Sequence, residues 1–179
     1  MALTATLYAA QLQVADQDRQ HYQNYSLKIA LHPSEQPERM VARLLVWCLN
    51  ANEKLTFGKG ISSRDEAEIW QRHDHGDIEH WIDVGEPDDA RVKKASRQSE
   101  KVTVFAYTRS QDTWWKKHAA AISSFANVTT LSVPWESVVT IANDITRQIH
   151  WQITISESTL YVSSGDTMFE VPVTELKHN

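Results

Sequence analysis

Residues 68–94 read EIWQRHDHGDIEHWIDVGEPDDARVKK, and this stretch decides the fold. Glu68 to Arg72 and Glu79 to Val84 have the alternation of two strands, joined by a tight turn around His75-Gly76. Because strand side chains alternate, Trp81, Asp83 and Gly85 share one face of the second strand and Ile82 and Val84 the other. Glu68 and Trp70 share a face of the first. Pro87-Asp88-Asp89 then starts a helix: proline is tolerated in a first turn that needs no donor, and acids are favoured at the positive end. That helix carries Arg91, Lys93 and Lys94.

Outward from this centre, Lys54 to Lys59 reads as a short strand and Lys101 to Tyr107 as a further one. Upstream, Leu3 to Val14 and Tyr22 to Ala30 alternate as an opening hairpin. His32-Pro33-Ser34-Glu35-Gln36-Pro37 then leads into a helix running to about Ala51, with Ser34 as the expected cap and Pro37 in the first turn. Met40, Val41, Leu44, Leu45, Cys48 and Leu49 recur at helical spacing and mark its buried face. Glu38 lies along the edge of that face, where a charge wants a partner. Downstream, the pattern predicts a helix from Gln111 to Phe125, a strand from Val128 to Pro134 and a short helix from Trp135 to Asn143. A β-meander follows over Gln148–Ser156, Thr159–Ser163 and Met168–Val173. The core order is helix, three strands, helix, strand.

With 179 residues, no internal repeat and no Pro/Gly/Ser-rich linker, residues 1–179 are expected to form a single α/β (α+β) domain. The chain has one cysteine, Cys48, so no internal disulfide forms, and a reducing compartment, the cytoplasm, is expected. Neither a basic leader followed by an apolar block nor an uninterrupted apolar run is present, so membrane insertion is not expected. The formal charge of −5 argues against a protein that coats duplex DNA, which needs many cationic contacts to phosphate. Arg91, Lys93, Lys94, Arg97 and Lys101 nonetheless group within a few helical turns and leave room for a local grip on nucleic acid. A monomer is the expected state.

Two or three converging carboxylates can hold a hard cation, with a nearby lysine to orient water. Glu68 and Asp83 on adjacent strands are the candidates, approached by Glu38 from the first helix and by Lys94 or Lys93 from the second. Asp65 and Glu66 are read as loop charges. The run His73-Asp74-His75-Gly76-Asp77 with His80 has neither a cysteine nor standard zinc-ligand spacing and is read as a hairpin tip. The seven tryptophans are not interleaved with basic residues and are read as core.

The chain resembles the YaeQ family of bacterial proteins across nearly its whole length. The residues that carry the resemblance are His-Pro-Ser-Glu at 32–35 with Glu-Arg-Met at 38–40, Asp-Glu-Ala-Glu-Ile-Trp at 65–70, and Trp-Ile-Asp-Val-Gly-Glu-Pro-Asp at 81–88 followed by Lys-Lys-Ala at 93–95. The resemblance implies a variant of the PD-(D/E)XK, restriction-endonuclease-like fold: a mixed sheet flanked by helices with an αβββαβ core, here with an N-terminal hairpin and a C-terminal β-meander. It implies a Mg²⁺- or Mn²⁺-dependent nuclease or phosphodiesterase, with Glu68 and Asp83 as metal ligands, Glu38 assisting and Lys94 positioning water. The departure is at residue 85, where the superfamily pattern has lysine and this chain has glycine. That departure implies the alternative, a catalytically silent nuclease-like fold that binds nucleic acid or protein. The bland explanation of Gly85 is backbone relief where the strand leaves the sheet.

Overall fold

The alternation at the N-terminus builds a hairpin in which β1 (Thr6–Asp16) runs antiparallel to β2 (His21–Leu31), from Thr6 opposite Leu31 to Asp16 opposite His21. The structure is a computed structural model and describes residues 4–59 and 63–179; Leu3, where the sequence pattern starts the first strand, lies outside them. The chain divides into two compact units, residues 1–51 with 134–173, and residues 52–133 with 174–179.

In the first unit, Pro37 opens α1 (Pro37–Leu49). Ser34 does not cap it. The N-cap is Gln36, without a side-chain hydrogen bond. Ser34 Oγ instead lies 2.8 Å from His32 Nδ1 in the turn before the helix. The residue drawn inward is Glu35, which is buried and accepts from Arg43 Nη2 through both carboxylate oxygens, at 2.7 and 3.0 Å. The helical spacing implies one buried face, yet every residue from Met40 to Cys48 is buried, Arg43 included.

The rest of this unit follows the residue pattern closely. After α4 (Trp135–Asp144) come β8 (Gln148–Ser156), β9 (Thr159–Ser164) and β10 (Thr167–Pro172) as an antiparallel meander. β8 also pairs in parallel with β1, which joins the opening hairpin and the closing meander into one sheet of order β10-β9-β8-β1-β2. α1 packs against β2 and α4, and α4 against β10. Alternate residues of the strands, among them Leu12, Tyr25, Ile29, Trp151, Ile153 and Val162, are buried.

In the second unit β3 (Leu55–Phe57), β4 (Ile69–Arg72) and β5 (Ile78–Val84) form an antiparallel set. α2 (Asp89–Gln98) then crosses to β6 (Ser99–Ala106), and α3 (Gln111–Ser123) to β7 (Val128–Ser132), both strands parallel to β5. A short strand absent from the sequence reading, β11 (Thr174–Leu176), runs antiparallel to β7, giving the order β11-β7-β6-β5-β4-β3. The two mixed sheets with their helices make the chain the mixed α/β protein expected from the sequence. The order α1-β3-β4-β5-α2-β6 is the helix, three strands, helix, strand read from residues 34–107. Val92 and Ala95 of α2 and Trp114 and Ile122 of α3 pack with Trp81, Val102 and Val104 in one apolar cluster. Burying such side chains contributes roughly 1.5–3 kcal/mol each.

Cys48 is wholly buried in α1, and burial pushes its thiol up to about 12. A thiol that is neither exposed nor ionised is unreactive. A disulfide reagent at pH 8 is therefore expected to label the native protein only at the rate of unfolding and to label it fully in denaturant. Rapid native labelling would show that α1 opens locally.

Candidate functional site

The register of β4 and β5 decides whether Glu68 and Asp83 meet. Ile69 is opposite Ile82 and Trp70 opposite Trp81, so Glu68, one residue before β4, continues the ladder opposite Asp83. Residues opposite one another in an antiparallel pair project to the same side. The backbone N–H of Glu68 points at Asp83 Oδ1 at 3.5 Å, the long limit of a hydrogen bond. On the same face Trp70 and Trp81 meet edge to face at 6.1 Å. Both acids are buried, Asp83 to 2% exposure.

The cation beside Asp83 is Arg91. Asp88 caps α2, accepting from the backbone N–H of Arg91 at 2.8 Å, which fixes the first turn of the helix over the end of β5. From there Arg91 Nε donates to Asp83 Oδ2 at 2.7 Å and Nη2 to Asp83 Oδ1 at 2.9 Å. This is the two-pronged guanidinium–carboxylate geometry that gives the strongest ion pairs. Nη2 also donates to the Glu66 carbonyl at 2.9 Å and Nη1 to the Arg64 carbonyl at 3.1 Å, so one guanidinium ties strand, helix and the loop before β4 together.

Lys94 faces outward from this pair. Its Nζ lies 2.6 Å from Asp65 Oδ1, and that ammonium holds the exposed Asp65 carboxyl below its ordinary range. Glu66 accepts from the Lys59 backbone N–H at 3.0 Å. The two loop acids thus hold the loop. Lys93 is exposed on α2. Glu38 is half-buried in the first turn of α1, in the other compact unit from Glu68, Asp83 and Lys94.

Gly85 leaves β5 at φ +95°, with its N–H on the Phe105 carbonyl at 2.9 Å. A side-chain-bearing residue is strained there. The backbone at residue 85 therefore disfavours lysine, or any other residue with a side chain.

The histidines lie elsewhere. His73 and His75 stack at the β4–β5 tip with ring centres 5.1 Å apart, and each meets an acid, His73 with Glu100 at 2.9 Å and His75 with Asp77 at 3.1 Å. His80 projects to the face of β5 opposite Asp83, 2.8 Å from Thr103 Oγ1, and burial pushes its pKa down to about 4. Among the described residues no three His, Cys, Asp or Glu side chains gather as a metal-binding group. A hard divalent cation takes about six oxygen ligands. As arranged, Asp83 gives both of its oxygens to Arg91, so the donor set does not fit Mg²⁺ or Mn²⁺.

Arg91 is the site residue that sequence reasoning missed, grouped with the surface lysines of α2. Two signals pointed to it: an acid on a strand buried on both faces needs a cation, and Arg91 lies one helical turn before the buried Ala95.

A family model described as YaeQ protein matches residues 1–173. The chain is 38% identical over 175 residues to the YaeQ proteins of Salmonella typhi and Escherichia coli (strain K12), covering 97% of each chain in both comparisons. The crystal structure of a YaeQ protein from Xanthomonas axonopodis pv. citri superposes with a TM-score of 0.94 at 34% identity, covering 98% of this chain and 100% of that one. That of a Pseudomonas syringae YaeQ protein gives 0.94 at 36%, covering 99% of each.

Proposed function

The chain belongs to the YaeQ family, and on the geometry of its acid pair we propose that it is a nuclease-like fold that binds a partner without cleaving phosphodiesters. The observation that carries this reading is the clamp of Arg91 on both oxygens of Asp83. A metal entering the site has to displace a guanidinium held at four points. Displacing it forfeits those hydrogen bonds, the two to Asp83 charge-assisted at both ends, and the entering ion has to offset the loss. The backbone at Gly85 supports the same reading, because it works against a lysine at the position the nuclease pattern requires.

The basic group on α2 and the start of β6 is smaller than the sequence count implies. Arg91 turns inward and Lys94 is neutralised by Asp65, leaving Lys93, Arg97 and Lys101 exposed. Three phosphate contacts give a salt slope of about −3, a weak hold on duplex DNA. A protein is the favoured partner.

A second reading has one observation in its favour: Glu68 continues the register opposite Asp83. Under it the chain is a Mg²⁺- or Mn²⁺-dependent nuclease in which, once Arg91 is displaced, Glu68 and Asp83 would hold the ion and Lys94 would assist. Mn²⁺ titration followed by water-proton relaxation, with Mg²⁺ incubations on single- and double-stranded DNA and RNA, separates the two. The expected result is no saturation below about millimolar metal and no cleavage. Cleavage by the wild type that disappears in Asp83→Asn overturns the binding-module reading.

A further inference from the structure

The sheet β10-β9-β8-β1-β2 has a second face. Following the registers across it, Leu7, Ala9, Gln11, Gln13 and Ala15 of β1 project with Tyr22, Asn24, Ser26, Lys28 and Ala30 of β2. The same side carries His150, Gln152 and Thr154 of β8, Tyr161 and Ser163 of β9, and Met168 and Glu170 of β10. Among the described residues, the large apolar side chains standing out in solvent, Leu7 at 61%, Tyr22 at 63% and Met168 at 67% exposure, all lie on this one face. Between them are amides and hydroxyls, Gln11 Nε2 donating to Ser26 Oγ at 2.7 Å. Depletion of charge with enrichment of Tyr and Met is the composition of an interface centre, not of a solvated sheet. Only one lysine lies among these strand positions, which argues against a polyanion.

The charges identify the occupant. Lys28 and Glu170 are the strand residues of this face that carry a formal charge, and they occupy opposite corners. Lys28 is on one edge strand beside Ala9, and Glu170 is on the other, in the row that runs through Tyr161, Thr154 and Ala15 to Tyr22. A two-fold axis lying diagonally in the sheet plane exchanges those corners, so Lys28 of one copy meets Glu170 of the other, twice. Such an axis crosses the strands of the two copies at about 90°, the orthogonal class of sheet packing. Tyr22, at the corner through which that axis runs, meets its own copy and stands beside a hollow of about 630 Å³ lined by Gln13, Ala15 and Thr154. At strand spacing the face measures about 25 Å on a side, or about 600 Å² per copy, near the lower end for a specific interface.

We propose that this face joins two copies of the chain into a symmetric dimer. The inference is independent of the acid-pair reading and replaces the monomer expected from the sequence. Analytical ultracentrifugation of the full chain from about 1 to about 100 µM is expected to show a reversible monomer–dimer equilibrium, as an interface of this size implies. Lys28→Glu or Glu170→Lys alone is expected to weaken it about tenfold, and the double exchange to bring it back within about threefold of wild type. Tyr22→Arg, at an exposed position that leaves the circular dichroism unchanged, abolishes it. A monomer at about 100 µM overturns the proposal. A dimer indifferent to Tyr22→Arg, or a charge exchange that fails to rescue, does so equally.

Discussion

Arg91→Ala is expected to lower unfolding stability by about 3–5 kcal/mol, because it leaves Asp83 buried with no opposing charge. The side chain of Asp83 is 3% exposed and that of Arg91 25%. The asymmetry sets the order of the single variants. Without Asp83 the guanidinium can turn toward water, so Asp83→Ala costs less, about 2–3 kcal/mol. Without Arg91 the carboxylate has nowhere to go, and the Glu66 and Arg64 carbonyls lose their donors as well. Replacing both residues by apolar ones of similar size, Asp83→Leu with Arg91→Met, removes the stranded charge and is expected to lie within about 1–2 kcal/mol of the wild type. Equilibrium urea unfolding of the four proteins measures the cycle. If Arg91→Ala costs under about 1 kcal/mol and the variant gains saturable Mn²⁺ binding, the arginine is a removable gate and the nuclease reading gains the advantage.

Local patterns made much of this fold legible. Alternation gave the β1–β2 hairpin and the meander, and Pro37 and Pro87 marked the starts of α1 and α2 within two residues. What escaped depends on partners remote in sequence. The parallel pairing of β1 with β8 is invisible to any local window, and β11 is too short to alternate. The β8–β9 turn, by contrast, falls where the pattern puts it, between Ser156 and Thr159, although Glu157 and Ser158 take φ 50° and 58° without a glycine or asparagine to announce them. Asp18 holds that turn, accepting from both backbone N–H groups at 2.8 and 3.0 Å. The candidate site divides the same way: the shared side of Glu68 and Asp83 follows from period-two alternation, whereas the pairing of Asp83 with Arg91 depends on where the first turn of α2 sits at the end of β5.

The Glu35–Arg43 pair gives the other large effect. Arg43 lies inside a helix whose residues are buried on every side, with its side chain 6% exposed and that of Glu35 3%. Nη2 serves both Glu35 oxygens and the Ala30 carbonyl at 2.7 Å, so the arginine ties α1 to the turn before it and to β2. Arg43→Ala removes a long side chain from a packed interior and leaves an acid behind. Taken alone that costs about 3–5 kcal/mol. Arg39 limits the loss, because its Nη1 already lies 3.9 Å from Glu35 Oε1 and its charge remains beside the acid. The expected destabilisation in urea is therefore about 3 kcal/mol for Arg43→Ala and about 5 kcal/mol when Arg39→Ala is added. If Arg43→Ala costs under about 1 kcal/mol and adding Arg39→Ala costs no more, the Glu35 pair is not what holds α1 to the turn before it, and the packing of the apolar helix residues carries that contact alone.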